Sequence, residues 1–348
     1  MSGTPPTPPP AAPPPPPFRT AVRLLTRTTP FLFFNLAIYG GFFLGIVLWL
    51  AVFGGLAALF APRVEFLALI FMMIAVFGPG GILMFARRYL LYLVKGAHIA
   101  VITKLLVDDE LPPGTNQIQY GRQIVQRYFK EVSVLFVLDR MVDRIVKRFT
   151  SRFVRIVDWL PLGSGATKAA RWAATVVNRS LSYVDQAIIS YAIARGEMNI
   201  WRSARHGVIL YAQAYPPILT TAVKVWLLGR AFFLLCLLVF GIPAVLLLLM
   251  FNAIWFQVLM IVGVLVFSSL LVRAVFEPFA TAYVVLTFHH ATAGLEVDPA
   301  WDQRLQSVSG EFKKLVGRAR EFQQKPDPAD GGFGGQPGQA PGSAPAGG

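Results

Sequence analysis

Thirty-five consecutive uncharged residues lie between Arg27 and Arg63, and 42 more lie between Arg230 and Arg273. About 20 apolar residues at roughly 1.5 Å each cross the hydrocarbon layer of a bilayer, so runs of this length exceed what the core of an ordinary soluble domain accommodates. The first run places one span within Phe31 to Phe60. The 21 uncharged residues from Phe66 to Ala86, closed by Arg87 and Arg88, place a second. The run before Arg273 is long enough for two further spans, with Asn252 the most polar place for a turn between them. The chain is therefore read as all-α: a polytopic membrane protein with about four transmembrane helices and amphipathic cytoplasmic helices between two hairpins. Its composition agrees, with 55% hydrophobic residues, 14% charged residues and a mean hydropathy of +0.56.

The cations give an orientation. Arg19, Arg23 and Arg27 precede the first span, whereas only Arg63 lies in the link to the second. The segment from Arg87 to Arg230 holds 21 Lys and Arg against nine Asp and Glu, and the link around Asn252 holds none. Every strongly basic segment thus falls on one side. This predicts a protein of the plasma (inner) membrane with both termini cytoplasmic. The same distribution argues against nucleic acid as the partner of the +14 net charge, because the cations flank spans; membrane lipids with anionic headgroups are the expected partners.

The expected divisions follow: a Pro-rich disordered tail over 1–18, a first transmembrane hairpin over 19–88, and a basic helical region, cytoplasmic or interfacial, over 89–229. A second hairpin with a long final helix takes 230–295, a polar helix 296–325, and a Gly/Pro/Ala-rich disordered tail 326–348. Asn199 is the expected N-cap of a helix that Pro216 and Pro217 interrupt. Within Leu138 to Leu160, apolar residues recur at steps of three and four. Between them stand Arg140, Arg144, Lys147, Arg148, Arg152 and Arg155, together with Asp143, four residues before Lys147. Such a helix suits a headgroup layer, where these six cations would be the lipid-surface residues, and it equally suits packing on the protein's own core with its charges solvated.

Chemistry-bearing motifs are sparse. The sequence has no GxSxG, HExxH, Walker A or CxxC pattern, its single cysteine, Cys236, lies in an apolar run, and its four histidines are scattered. Neither an enzyme nor a cofactor or metal is expected. Candidates for a substrate pathway are the Gly78-Pro79-Gly80-Gly81 stretch, read as an interruption of the second span that frees backbone groups, and Glu277, four residues after Arg273 at the end of the fourth. Trp255 and Tyr283 are the aromatic candidates for a cation–π contact, and interfacial anchoring accounts for them equally.

The run Val184 to Arg205, VDQAIISYAIARGEMNIWRSAR, carries Gly196, Ser203, Ala204 and Arg205. It resembles the segment of the choline transporter-like family in which an Asn-containing turn precedes "AI", a Gly and then "SA(K/R)". Asp185 stands roughly where that family has Asn, and one residue is inserted between the Gly and the Ser. The likeness extends over about residues 64 to 310, the family's C-terminal half. It implies a transporter-like protein for choline or another small cationic amphiphile, working as a homo-oligomer or with a partner membrane subunit, because only one span precedes the matching region. A scaffold that binds anionic lipid and partner proteins without transport is the alternative.

Overall fold

A computed structural model of the chain describes residues 18–128, 132–153, 167–250 and 254–324. The expected terminal tails, but for Phe18, which opens the first helix, and the turn at Asn252 lie outside these residues. All regular structure among them is helical: α1 (Phe18–Arg27), α2 (Thr29–Phe60), α3 (Glu65–Val107), α4 (Gln117–Tyr128), α5 (Val132–Phe153), α6 (Thr167–Ser180), α7 (Val184–Ala194), α8 (Ile200–Met250), α9 (Ile254–Leu271), α10 (Glu277–Thr292), α11 (Pro299–Val308) and α12 (Gly310–Gln324). A single π-helical stretch, Val272–Phe276, joins α9 to α10.

Three helical stretches are long and apolar enough to cross a membrane: Thr29–Phe60, Ile200–Met250 and Phe256–Thr292. A shorter apolar stretch, Glu65–Gly78, opens α3, which packs along α2. These helices expose large apolar side chains, among them Leu44, Leu48, Phe66, Phe77, Leu238, Ile242 and Ile261. Such a surface is favourable against lipid and costly against water. Their mutual packing is thin: Ile46, Leu50 and Ala75 form a small buried cluster, with Phe53, Val262 and Val266 against it. Trp49 ties α2 to α3 by donating its indole N–H to the Ile74 carbonyl at 3.1 Å.

The main core lies at one end of these spans. α7 is its centre, buried on nearly every side from Val184 to Ile193 and packed on α3, α5, α8 and α10. A helix buried all round must be apolar all round, and α7 is, apart from Asp185, Gln186 and Ser190. Long helices join the core to the spans without a break. α8 begins buried at Ala204, Val208 and Tyr211, kinks at Ala214 (φ −117°, ψ 25°) ahead of Pro216 and Pro217, and finishes with Leu234, Leu238 and Leu249 exposed. The kink is where the expected proline interruption falls, since proline lacks an N–H and its ring crowds the preceding turn. The expected division points at 88 and 229 fall inside α3 and α8, which run through them.

α5 settles the placing of its apolar stripe. Leu138, Met141, Val142, Ile145, Val146 and Phe149 are buried in the main core, so the stripe packs on protein. α1 closes the same end of the molecule: its Phe18 ring lies 4.9 Å from Phe279 of α10, and Arg27 pairs with Asp109 beyond α3. The start of α2, the end of α3, the start of α8 and all of α10 therefore share one end.

Candidate functional site

Where α2 leaves the core, a cavity of about 490 Å³ opens between five pieces of chain. α2 supplies Asn35 and Tyr39; α3 supplies Lys95 and His98; α5 supplies Phe136, Asp139, Arg140, Asp143 and Lys147. Ser182, Tyr183, Asp185 and Gln186 come from the turn into α7 and its first residues, and Arg273, Glu277, Pro278 and Thr281 from the π stretch and α10. Four carboxylates and four basic side chains thus meet in one space, a size typical of small-molecule sites.

Asp185 is 6% exposed and accepts one hydrogen bond, from the Gln186 amide N–H at 2.7 Å. Burial pushes its carboxyl well above the usual carboxylate range; the charge of Asp139 adds to the rise, and Lys95 opposes it. Asp139 is raised in the same way, by burial first, with Lys95 again the strongest opposing charge. Asp143 is held differently, in an ion pair with Lys147 at 2.8 Å, the i, i+4 pair that the spacing predicts. Gln186 is fixed on both sides, accepting from the Thr281 hydroxyl at 2.6 Å and donating to the Ser182 carbonyl, which anchors α7 to α10 beside the cavity. Burial raises the Tyr183 phenol, and the nearby Glu277 carboxylate adds to this. His98, stacked on Phe31 at 5.1 Å and 3.3 Å from the Thr28 hydroxyl, is lowered by burial to about 4.

Of the expected pathway residues, Glu277 is at the cavity. Arg273 lines it too, yet no ion pair joins the two among the described residues. The π stretch between them widens the helical turn, so a spacing of four no longer stacks them as it would in an α-helix. Tyr283 stands away from the cavity, packed with Phe279 and Phe18 at ring distances of 6.1 and 5.9 Å. Trp255 falls in the first turn of α9, roughly 33 Å along the helix axis from Glu277.

The expected interruption at Gly78, Pro79, Gly80 and Gly81 is corrected: α3 is helical through all four. The helix carries Pro79 by forgoing only the one bond that its missing N–H would have made. Gly78 has a packing reason instead, since a Cβ there would meet the Trp49 ring at 2.6 Å, whereas Gly80 faces open space.

The lipid-surface candidates are partly engaged by protein. Arg140 lies over the Phe136 ring at 5.2 Å, Arg144 is 3.5 Å from Glu311, and Arg148 donates to the Val308 carbonyl at 3.3 Å. Arg152 is exposed, and Arg155 lies outside the described residues. The motif residues build the turn from α7 to α8. Gly196 adopts φ +66°, a left-handed conformation that favours glycine after a helix end. Asn199 caps α8 by accepting from the Arg202 N–H at 3.1 Å. Ser203 donates to Glu197 at 2.9 Å, Ala204 is fully buried, and Arg205 forms a two-pronged pair with Asp302 at 3.0 and 2.8 Å.

One buried serine–histidine contact invites a catalytic reading. Ser190 lies 3.0 Å from His289 Nε2 and 2.7 Å from the Thr103 hydroxyl, which itself donates to the Ile99 carbonyl at 2.6 Å. Thr103 has spent its proton, so Ser190 donates to Thr103 and His289 donates to Ser190. The serine has no base to take its proton, and the chain of bonds holds α3, α7 and α10 together. Among the described residues no group of three His, Cys, Asp or Glu side chains is placed to hold a metal ion.

Sequence reasoning missed Asp139, Lys95 and Asn35 as site residues, and noted Asp185 only through the family likeness. Their convergence depends on four distant segments, and no local spacing announces it. No family model matches the chain, and no curated protein or solved structure matches it.

Proposed function

We propose that the chain is an integral membrane protein with four spans, the apolar opening of α3 being the fourth, and with both termini on the cytoplasmic side of the plasma (inner) membrane. Its function is to take up a small cationic amphiphile, choline-like in the sense of the family resemblance, from that side. The observation that carries this is the cavity at the core end of α2, where Asp139, Asp185 and Glu277 face one space. Carboxylates in a half-buried cavity favour a cation, and Tyr183 and Phe136 supply apolar surface beside them. Carriage across the bilayer requires a second copy or a partner subunit, because the uncharged runs of the spans offer no polar route of their own.

The test uses purified protein in proteoliposomes, with binding and uptake of a choline-like cation measured side by side. Glu277→Gln should weaken both while expression and insertion are unchanged. If the protein neither binds nor moves any such cation, the reading fails. The scaffold reading has one observation in its favour: the cavity lies at one end of the spans and not midway along them. The absence of uptake by any oligomer, whether or not a cation binds, is the result that selects it.

A further inference from the structure

Two buried side chains at the cavity have hydrogen-bonding capacity to spare. Asn35 is 8% exposed and its amide has no hydrogen-bond partner among the described residues. Asp185 is 6% exposed, and beyond the Gln186 N–H on one oxygen its carboxylate has no partner among them either. The free polar atoms of both are open to the cavity, not sealed from it, so each presents hydrogen-bonding capacity to whatever enters. What they offer together is oxygen: an Asp185 carboxyl, whose ionised form an arriving cation favours, and an amide carbonyl, with Asp139 lining the same cavity. The cations nearby do not meet this need. Lys147 is held by Asp143, Arg140 lies over Phe136, and Lys95 forms no ion pair with either aspartate among the described residues.

We propose that the cavity binds the primary ammonium group of an amphiphile, with its N–H donors directed to the Asp185 carboxylate and the Asn35 carbonyl. The proposal rests on the cavity being the cation site described above, and it narrows the ligand class. A primary ammonium brings three donors, whereas a quaternary ammonium brings none and would leave the same oxygens unsatisfied. A quaternary group asks instead for open aromatic faces, and Arg140 occupies one face of Phe136 at 5.2 Å. The apolar part of the ligand follows from position. Asn35 and Tyr39 belong to the opening turns of a membrane-length helix, and Leu36, 42% exposed, lies beside them. A tail can therefore remain in lipid while the head enters the cavity.

The experiment measures binding of octylammonium, octyltrimethylammonium and ethanolamine to the full chain in nanodiscs, with empty nanodiscs subtracted. Octylammonium is expected to bind at least about tenfold more tightly than its quaternary analogue, the worth of one hydrogen bond to a charged group. It should exceed tail-less ethanolamine by a similar factor. Asp185→Asn should abolish the preference for the primary amine, and Asn35→Leu should reduce it even if the aspartate variant does not fold. Equal or reversed preference between the two octyl cations overturns the proposal, as does a preference that survives in both variants. Ethanolamine binding as tightly as octylammonium overturns the amphiphile part. If the quaternary cation binds and the primary one does not, only this inference falls; if neither binds, the cation site itself falls with it.

Discussion

Asp185 is one residue in a run of apolar neighbours, and its cost to the fold is set by everything that covers it. Its folded carboxyl is raised by burial, then by Asp139, while the unfolded one ionises near about 4. Above that pH the folded state holds more protons than the unfolded, so stability falls as pH rises towards the folded value. Asp185→Asn carries no such loss. It should melt a few degrees above the parent at pH 8, roughly 3 °C for each kcal/mol, and lose the advantage near pH 4; a thermal series in lipid nanodiscs measures it. His98 runs the other way. Its folded value is lowered to about 4, so between about 4 and 6.5 the unfolded state binds more protons and acid destabilises the fold. At pH 5 the parent should lose about 2 kcal/mol relative to pH 8 that His98→Phe does not lose, a variant that keeps an aromatic ring against Phe31. Asn199 was readable as a cap because its partner is three residues away. The burial of Asp185 was not, because four helices from distant parts of the chain create it.

Helices in this molecule are defined by what they pass through. Gly78 and Gly80 look alike in sequence, yet only the first sits against a neighbour, the Trp49 ring. Gly78→Val should destabilise the α2–α3 hairpin by about 1–3 kcal/mol through overpacking, while Gly80→Val leaves the melting temperature nearly unchanged. The start of α8 is held to α11 by Arg205 and Asp302, whose side chains are 28% and 13% exposed. A double-mutant cycle with Arg205→Ala and Asp302→Ala should return a coupling of about 1–2 kcal/mol. The ends of spans were the least legible feature at this scale. Arg87 and Arg88 close the uncharged run, and α3 continues through them to Val107, so the end of the run does not mark the end of the helix. The π stretch also left no mark in the sequence, and it decides that Arg273 and Glu277 do not pair.

At the scale of the molecule, the charge-free runs and the basic segments between them carried most of the architecture, because lipid imposes length and charge rules that a few counts can detect. The same-end clustering of α1, α8's start and α10 agrees with them. Reporter tags fused at the two ends of the chain should both read cytoplasmic, and one inserted beside Arg63 should read the opposite side; an external signal from either terminal tag would overturn the layout. The core, by contrast, was legible only in part, since the basic region did not disclose which surfaces it covers. Its assembly has a consequence for synthesis. α7 is made before α8, α9 and the helix that seals it, α10, whose Thr281 bonds to Gln186. The ribosome therefore delivers a half-built centre whose acidic and amide groups stay hydrated until α10 has emerged, and a nascent chain stalled before residue 277 should remain open to protease around Val184 to Ala194 even with its earlier spans in place.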